Sequence, residues 1–343
     1  MLKIQESVDI SSFTTFNIKA IAQYFTILEN KEDILELISF SKNKDSLPIY
    51  LLGSGSNTIF GTEIVNKIVV LVKIKGFSIF SENSDSVVLQ IGAGEDWDEI
   101  VNRIVIMNLS GVEALSYIPS TVGAAPVQNI GAYGQEVKNT IISVECFDLK
   151  TKAFVSLSNE NCNFGYRESV FNRKEKGRYI ILSVNFKLSK IYPQIPNYPD
   201  VEKYFIQHEI TKPTLLQIRE AIIEIRKSKL PDPKIIPNCG SFFKNPILDI
   251  EIVNQIQKNF PDIKIFPAEN NKVKIPAGWL IEKAGLKGVS FGPISVYEKS
   301  ALVLVNKDKT ATIKDLENAI TKITEIVYEK FGINLEVEPN IVF

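Results

Sequence analysis

Residues 117–134 read Tyr-Ile-Pro-Ser-Thr-Val-Gly-Ala-Ala-Pro-Val-Gln-Asn-Ile-Gly-Ala-Tyr-Gly, and no charged side chain occurs between Glu113 and Glu136. An uncharged segment of this length is expected inside the protein, yet its glycines and prolines disfavour a buried helix or strand. It is therefore predicted to be a buried loop, which is uncommon because buried backbone N–H and C=O groups need partners. A ligand rich in acceptors, such as a pyrophosphate, would supply partners. A tight crossover bonded to itself is the structural alternative.

A second glycine-rich loop follows a predicted buried strand at residues 48–52 and reads Gly53-Ser-Gly-Ser-Asn-Thr58. Such a loop can direct backbone N–H groups at phosphate oxygens. It is not a Walker loop, because no Gly-Lys-Ser/Thr follows. It is not a Rossmann loop either, because Thr58 stands at the third glycine position and no acidic residue lies about twenty positions on. Alone, a plain turn explains this loop equally well. Together the two loops predict a dinucleotide site of a non-Rossmann kind.

The composition is that of an ordinary globular protein and excludes several classes. The 343 residues carry a formal net charge of −1, with scattered Lys and Arg, so no basic stripe for nucleic acid is present. No apolar run reaches membrane-spanning length, and residues 1–6 lack the apolar region of a signal peptide. We expect a cytoplasmic protein with neither nucleic-acid nor membrane partners.

Cysteine and histidine usage restricts the chemistry. Cys146, Cys162 and Cys239 are far apart and form no CxxC pair, so free buried thiols are predicted rather than zinc ligands or disulfides. The single histidine, His208, lies in a polar stretch that is expected to be exposed. Histidine-based triads and histidine-rich metal sites are therefore not expected, and no metal is predicted. Proton chemistry is left to carboxylate, Ser, Tyr, Lys or Cys side chains.

Apolar periodicity predicts an α+β or mixed α/β chain without internal repeats. Helices are predicted at 31–41, 96–107, 214–227, 251–258, 277–284 and from Thr312 to Gly332, where Thr312 and Asp315 form a capping pattern. Strands are predicted at 48–52, 67–72, 86–91, 141–147, 153–157, 179–188, 301–305 and 334–338. Three prolines in 190–199 predict a loop or linker, and 230–237 predicts a second break.

Three further polar residues stand out, each with an ordinary alternative. Arg167 lies among aromatic and small residues and is expected to pair with an anion, either Glu168 or a substrate carboxylate. Ser241 precedes Phe242 and Phe243, which are core residues or the apolar walls around a proton donor. Glu338 is a lone carboxylate on an apolar segment, where a solvated edge is the simpler interpretation.

The motifs above, taken in order, resemble those of the UDP-N-acetylenolpyruvoylglucosamine reductases, FAD enzymes that make UDP-N-acetylmuramate for peptidoglycan. The resemblance extends from Phe13-Thr-Thr-Phe-Asn-Ile18 to the last residues and includes Phe164-Gly-Tyr-Arg-Glu-Ser169, Gly240-Ser-Phe-Phe-Lys-Asn-Pro246 and Leu335-Glu-Val-Glu338. Gln128-Asn-Ile-Gly131 and the loop around Tyr198 are similar to the type I form.

The resemblance implies an FAD-binding domain of the vanillyl-alcohol-oxidase/PCMH type in two lobes, followed by a C-terminal α+β substrate domain. The lobes are expected at 1–72 and 73–225 and the substrate domain at 226–332, with 333–343 returning to the first lobe. Many oxidases of that group attach the flavin through histidine. Because His208 lies outside every matched motif, non-covalent FAD is implied.

The resemblance also implies a reaction in which NADPH reduces FAD and the enolpyruvyl sugar nucleotide then receives a hydride. Arg167 is similar to the family arginine that binds the substrate carboxylate, Ser241 to the proton donor, and Glu338 to the glutamate that supports the same intermediate. The residues implied in FAD binding are Gly53, Ser54, Gly55, Ser56, Asn57, Ser120, Thr121, Gly123, Ala124, Asn129 and Gly131.

The residues implied in substrate binding are Tyr133, Tyr198, Lys229, Asn245 and Lys299. Tyr198 is expected to act in a lid and Lys229 to offer charge to phosphates. The sequence departs from the family at Ser120, where glycine is usual, and at Tyr297 and Ser300, where histidine and glutamine are usual. Lys299 is the candidate substitute for the lost diphosphate contact.

Two alternatives stay open from the sequence. One is an FAD-dependent oxidase of the same fold, against which the set of Arg167, Ser241 and Glu338 argues. The other is an inactive nucleotide-binding or scaffold protein in which the loops are only structural. Small-molecule substrates and a monomeric state are expected.

Overall fold

The computed structural model describes residues 2–191, 195–268 and 271–343. Contacts between residues divide the chain into two compact units. Unit 1 contains the residues up to Val8 together with Ala22–Ser54 and Asn66–Ser228, and unit 2 contains Asp9–Ile21, Gly55–Val65 and Lys229–Phe343. Each unit is thus assembled from separate stretches of the sequence. The division into lobes at 1–72 and 73–225 and a substrate domain at 226–332 stays a prediction about functional parts.

The predicted helices are confirmed, with ends that differ by a few residues. One helix was not predicted, because the prolines before it suggested a loop; Pro199 occupies its first turn, where proline is tolerated. Residues 192–194 of that predicted loop lie outside the described residues. The helices are α1 (Ile34–Asn43), α2 (Trp97–Ile106), α3 (Pro199–Gln207), α4 (Leu215–Lys229), α5 (Ile250–Asn259), α6 (Ala277–Lys283) and α7 (Ile313–Phe331).

The strands of the described residues include every predicted one except the last. They are β1 (Gln5–Asp9), β2 (Ile21–Leu28), β3 (Ile49–Leu52), β4 (Thr58–Phe60), β5 (Ile64–Val72), β6 (Phe77–Glu82), β7 (Ser86–Gly92), β8 (Gly131–Ala132), β9 (Gln135–Glu136), β10 (Ile141–Asp148), β11 (Ala153–Ser158), β12 (Tyr179–Ser189), β13 (Asn238–Ser241), β14 (Ile247–Asp249), β15 (Phe266–Pro267), β16 (Lys272–Lys274), β17 (Ser290–Phe291), β18 (Ile294–Val296), β19 (Val303–Val305) and β20 (Asn340–Val342).

The predicted strand at 334–338 is wrong. Val337 makes one isolated bridge, to Phe243, and the final strand is β20. The alternating apolar residues Leu335 and Val337 pack on the core of unit 2. Their alternation therefore reflects burial of these side chains and not hydrogen bonding to a neighbouring strand. Pro339, which has no N–H to donate, separates them from β20.

Unit 1 is built on two sheets, in the orders β1-β2-β5-β3 and β11-β10-β12-β7-β6. The second sheet is antiparallel and packs against α2. Trp97, the first residue of α2, is fully buried, and its indole N–H donates to the carbonyl of Leu115 at 2.9 Å. A smaller core joins α3 and α4 through Val201, Phe205 and Ile222. This packing places the uncharged segment beside the first turn of α2.

Unit 2 contains sheets in the orders β13-β19-β18-β17 and β14-β16-β15, and β20 runs parallel to β4. Helix α7 packs on its core through Leu316, Ala319, Ile323 and Val327, which recur at helical spacing. The capping box of Thr312 and Asp315 and the left-handed Gly332 at the C-cap are both confirmed. None of the helices in the described part of the chain is long and apolar enough to cross a membrane.

Candidate active site

The two glycine-rich loops meet in unit 1. A Cβ atom on Gly53 would lie 2.8 Å from Oγ1 of Thr121 and 3.4 Å from Cβ of Ala124, so the loops approach too closely for a larger residue. The hydroxyl of Ser54 donates to the carbonyl of Pro119 at 3.3 Å. The structure therefore brings together the two sequence segments that were predicted, in combination, to form a dinucleotide site.

The uncharged loop is buried only in part: residues 120–122, 125, 126 and 129 are buried, whereas Pro119 and Gly134 are exposed. Several of its N–H groups have partners within the protein. Val122 N–H donates to the carbonyl of Glu95 at 3.0 Å, and Gly123 N–H donates to that of Ala93 at 2.8 Å. Ala124 N–H donates to Thr121 within the loop at 3.0 Å. The N–H groups of residues 122–124 thus bond mainly to the neighbouring segment 93–95, and of the three only that of Ala124 bonds within the loop. A bound diphosphate would have to contact other atoms of this loop than these three N–H groups.

The second half of the other loop, Gly55 to Asn57, belongs to unit 2. Gly55 has a φ of 68°, and a Cβ there would lie 1.9 Å from the carbonyl oxygen of Phe13, which only glycine permits. The Gly55 carbonyl accepts the N–H of Thr15 at 3.2 Å, and the Asn57 carbonyl accepts that of Asn340 at 2.9 Å. These contacts give the loop a structural part in unit 2 besides its predicted cofactor part.

Ser120 fits its position without strain. It has no left-handed φ, so glycine is not required there. Its carbonyl accepts the N–H of Trp97 at 3.1 Å, and its hydroxyl donates to the carbonyl of Thr121 at 3.2 Å. The departure from the family pattern at this residue is compatible with the loop.

Tyr133 stands at the tip of the β8–β9 hairpin. Both turn residues have positive φ, 49° for Tyr133 and 84° for Gly134, as in a type I′ turn. The Tyr133 ring meets that of Tyr198 edge-on, with centroids 5.2 Å apart. Burial raises the pKa of both phenols, which therefore stay neutral hydrogen-bonding groups at neutral pH. Two predicted substrate residues thus lie together in unit 1.

The buried carboxylate of Glu113 ties the base of that hairpin to the start of the uncharged loop. Its oxygens accept the N–H of Gly111 at 2.6 Å and the Gln135 amide at 3.0 Å. Gln135 in turn accepts the N–H of Ala114 at 2.9 Å. These hydrogen bonds between Gln135 and residues 113–114 hold the two ends of the segment from 113 to 136 together.

Asn129 uses its side chain within the protein. Its amide nitrogen donates to the carboxylate of Glu136 at 3.1 Å and to the carbonyl of Gly165 at 2.9 Å. Its amide oxygen accepts the N–H of Lys138 at 3.1 Å. Both amide protons are therefore committed. This predicted cofactor residue joins the uncharged loop to the turn at 165–168.

Arg167 lies on that turn with a φ of 58°, a conformation that needs support in a non-glycine residue. The amide of Asn172 donates to the Arg167 carbonyl at 3.1 Å, and the hydroxyl of Ser169 donates to the carbonyl of Val127 at 2.7 Å. Glu168, the candidate structural partner of Arg167, pairs with Arg173. The half-buried arginine is thus presented by a turn that is anchored to the uncharged loop.

Ser241 and Glu338 occupy neighbouring segments of unit 2. Ser241 ends β13 opposite Val303, and the N–H of Glu338 donates to the carbonyl of Phe242 at 2.9 Å. Phe242 and Phe243 are buried core residues, at 0% and 1% exposure, whereas Ser241 and Glu338 are half-buried. The ordinary interpretation of the phenylalanines is confirmed, and it leaves the serine at the edge of the core.

The remaining predicted substrate residues also belong to unit 2. Asn245 accepts the N–H of Ala277 at 2.9 Å through its amide oxygen and so caps α6. Lys229 is exposed at the end of α4, and Lys299 is exposed in the connection between β18 and β19. Among the described residues no cluster of His, Cys, Asp and Glu is suited to a metal ion.

Sequence reasoning missed a charged arrangement beside the start of the uncharged loop in unit 1. The carboxylate of Asp98 receives two hydrogen bonds from Arg219, at 2.6 Å and 3.0 Å, and one from the N–H of Tyr117 at 2.6 Å. Arg226 donates to the carbonyl of Tyr117 at 3.1 Å. The partners are far apart in sequence, so no local pattern indicates them.

Known families cover most of the chain. Residues 22–154 match the FAD binding domain, and residues 231–342 match the C-terminal domain of UDP-N-acetylenolpyruvoylglucosamine reductase. The chain is 40% identical to the UDP-N-acetylenolpyruvoylglucosamine reductase of Flavobacterium johnsoniae over 342 residues, which are 99% of this chain and 100% of the relative. It is 39% identical to that of Neisseria meningitidis serogroup B over 344 residues, 99% of this chain and 98% of the relative.

The crystal structure of the Thermus caldophilus enzyme is similar in fold, with a TM-score of 0.68 and 22% identity over the whole of both chains. The close approach of the two loops at Gly53, and a segment from 117 to 134 without a carboxylate, suit an anionic cofactor such as FAD. The relatives match both units and not only the cofactor loops. The chain belongs to the UDP-N-acetylenolpyruvoylglucosamine reductase family.

Proposed function

We propose that this protein is an NADPH-dependent flavoprotein that reduces UDP-N-acetylenolpyruvoylglucosamine to UDP-N-acetylmuramate, a precursor of peptidoglycan. The full-length similarity to reductases of that name carries the proposal. The match of residues 231–342 to the reductase C-terminal domain supports it further, because that range contains Ser241 and Glu338.

Non-covalent FAD, when bound, supplies the chemistry of accepting a hydride from NADPH and delivering it to the enolpyruvyl double bond. The residues of unit 1 that would hold it are those of the cradle where Gly53 meets Thr121, including the hydroxyls of Ser54 and Ser120. Gly55, Ser56 and Asn57, which continue the same glycine-rich loop, are further proposed contributors. Gly123, Ala124 and Gly131 would act by allowing close approach more than by donating hydrogen bonds.

Arg167 would bind the carboxylate of the enolpyruvyl group and stabilise the negative charge that spreads onto it during reduction. A fixed guanidinium does this well because it needs no reorganisation as charge develops. The turn that presents Arg167 is held by Asn129, Ser169 and Asn172, which supports this role.

Ser241 would donate a proton to the carbon next to that carboxylate. A hydroxyl is a weak acid, but a carbanion is a strong base, so position matters more than acidity. Glu338 would support the same intermediate from the adjacent segment. The hydrogen bond between Glu338 N–H and the residue after Ser241 favours a joint role.

The nucleotide sugar would meet Tyr133 and Tyr198, whose paired rings offer an apolar surface with neutral hydroxyls. Lys229, Asn245 and Lys299 would contribute charge and hydrogen bonds to its phosphates. Asn245 would use its amide nitrogen for this purpose, since its amide oxygen accepts the N–H of Ala277. We further propose a monomeric, cytoplasmic enzyme, which size-exclusion chromatography with light scattering and cell fractionation would check.

The test is spectroscopic. Purified protein should show flavin absorbance, or acquire it when FAD is added, and anaerobic NADPH should bleach it. The enolpyruvyl sugar nucleotide should restore the colour without oxygen, and other acceptors should not. Rapid restoration by oxygen alone would favour the oxidase alternative, and a protein that binds no FAD would favour the inactive one.

A further inference from the structure

Tyr117, at the start of the uncharged loop, has an unusual backbone that two charged side chains hold from opposite sides. Its φ is 59°, a left-handed value that a tyrosine adopts only with support. Its N–H donates to the carboxylate of Asp98 at 2.6 Å, and its carbonyl accepts from Nε of Arg226 at 3.1 Å. Hydrogen bonds to ionised groups are stronger than those between neutral groups.

Asp98 is itself held in place. Arg219 pairs with it through two parallel hydrogen bonds of 2.6 Å and 3.0 Å, and Nε of Arg219 donates to the amide oxygen of Asn102 at 3.2 Å. The Arg219 side chain is only 9% exposed. Burial alone would raise the pKa of Asp98, but the hydrogen bonds from Arg219 and Tyr117 lower it, so the carboxylate is ionised at neutral pH.

Tyr117 directly precedes the loop residues 118–124, so its backbone conformation affects where those residues lie. Residues 93–97 run alongside the loop that follows Tyr117. The N–H of Trp97 donates to the carbonyl of Ser120, and the N–H of Val122 donates to the carbonyl of Glu95. Asp98 therefore stands at the end of the segment that supports residues 120–123. Only Ile118 and Pro119 separate Tyr117 from Ser120, which directly precedes Thr121, and Thr121 lies against Gly53. A change in the backbone at Tyr117 is therefore expected to disturb the contact between Thr121 and Gly53.

We propose that Asp98 and Arg219 are positioning residues for the FAD site, because they hold Tyr117 in its left-handed conformation and thereby set the course of residues 118–124. The inference rests on the proposed part of that loop in FAD binding. Asp98 and Arg219 touch neither cofactor nor substrate in this role. They act through Tyr117.

The first experiment measures FAD affinity of flavin-depleted protein by quenching of flavin fluorescence. Asp98→Asn keeps the shape of the side chain and removes its charge, and Arg219→Met removes the partner. Each is expected to weaken FAD binding about tenfold or more, by analogy with the loss of metal affinity when residues that orient metal ligands are removed. Circular dichroism of the flavin-depleted variants checks that they are folded.

The matched control is Asp148→Asn. Asp148 also forms a two-hydrogen-bond pair with an arginine in unit 1, at 3.0 Å and 2.6 Å from Arg178, and its carboxylate also accepts the N–H of Lys150, which lies outside the loop. This variant should lose thermal stability and keep its FAD affinity. If it weakens FAD binding as much as Asp98→Asn does, general destabilisation explains both results and the proposal is overturned.

The decisive experiment uses Tyr117→Gly, because glycine adopts a positive φ without help. In that background Asp98→Asn should weaken FAD binding much less, about threefold or below, since little is left for Asp98 to hold. An equal loss in both backgrounds would overturn the positioning role while leaving the FAD site intact. A wild-type protein that binds no FAD would overturn the cofactor assignment itself, and the positioning role with it.

Discussion

The backbone N–H of Glu338 donates to the carbonyl oxygen of Phe242 at 2.9 Å. Phe242 is fully buried, and it follows Ser241 directly, so this hydrogen bond ties a carboxylate near the C-terminus to the segment of the proposed proton donor. Neither residue is placed by a helix. Each sits at the edge of a core that its neighbours fill.

Replacing Ser241 by alanine should separate the two halves of the reaction. Bleaching by NADPH should be unchanged, because no proton from this serine is needed, whereas reoxidation by the enolpyruvyl sugar nucleotide should slow by about 10²- to 10⁴-fold. Anaerobic stopped-flow absorbance measures both steps. Ser290→Ala is the control. Ser290 has no proposed role in either half-reaction, and its hydroxyl is hydrogen-bonded to that of Ser295. Unchanged reoxidation in Ser241→Ala would refute the assignment.

Glu338→Gln should likewise slow substrate reduction with little change in the unfolding temperature, since it keeps the size of the side chain. Glu336→Gln is a matched control two residues away, because Glu336 pairs with Lys244. Turnover under saturating NADPH distinguishes the two variants. Equal losses in both would mean that the carboxylate at 338 has no special part.

Asn129→Ala should lower the free energy of unfolding by about 2 kcal/mol, because a buried amide with three hydrogen bonds is lost. If Asn129 acts mainly through the turn of Arg167, the KM for the sugar nucleotide should rise more than the dissociation constant of FAD. Urea titration, steady-state kinetics and flavin fluorescence measure the three quantities. A change in FAD affinity alone would instead restore Asn129 as a direct cofactor contact.

The thiols should resist alkylation in the folded protein. Burial raises the pKa of Cys162 to about 12 and also raises that of Cys239 to about 12, so almost no thiolate exists at pH 8. Mass spectrometry after brief iodoacetamide treatment should find folded protein unmodified and urea-unfolded protein modified at all 3 cysteines. Rapid labelling of folded protein would show that one of these sites opens readily.

Asp148 should contribute to acid sensitivity. Hydrogen bonds from Arg178 hold its pKa well below the usual 3.8, so its stabilising contribution is present above about pH 4 and is lost as the pH falls toward the folded pKa. Asp148→Asn should therefore flatten the acid side of the stability profile while lowering stability at neutral pH. Urea denaturation at a series of pH values measures the profile. Parallel profiles for both proteins would contradict this origin.

Local chemistry made much of the fold predictable. The capping box at Thr312 and the glycine at 332 define α7 through contacts within one turn, and the sequence displays them directly. The failures have equally physical reasons. The prolines near the start of α3 led to the prediction of a loop, although the helix itself begins at Pro199. The alternation of Leu335 and Val337 led to the prediction of a strand, although these residues are buried without strand pairing.

Some features of the candidate site could likewise be predicted from the sequence, and others could not. Its glycine loops and its polar residues in apolar surroundings could be found in the sequence, and the resemblance gave them roles. The Asp98–Arg219 pair could not be found, because it joins residues 121 positions apart. Nor could the commitment of both Asn129 amide protons, since that depends on where Gly165 arrives in the folded chain.

The discontinuity of the units bears on how the protein is made in the cell. Strand β4, at Thr58–Phe60, finds its parallel partner only in β20, at Asn340–Val342, and the core of unit 2 includes Phe16 and Ile59. A ribosome releases the chain from its N-terminus, so these residues emerge long before β20, with which β4 pairs. We expect unit 2 to complete its folding only after β20 has left the ribosome, so that β4 and its neighbours stay without their final partners until then.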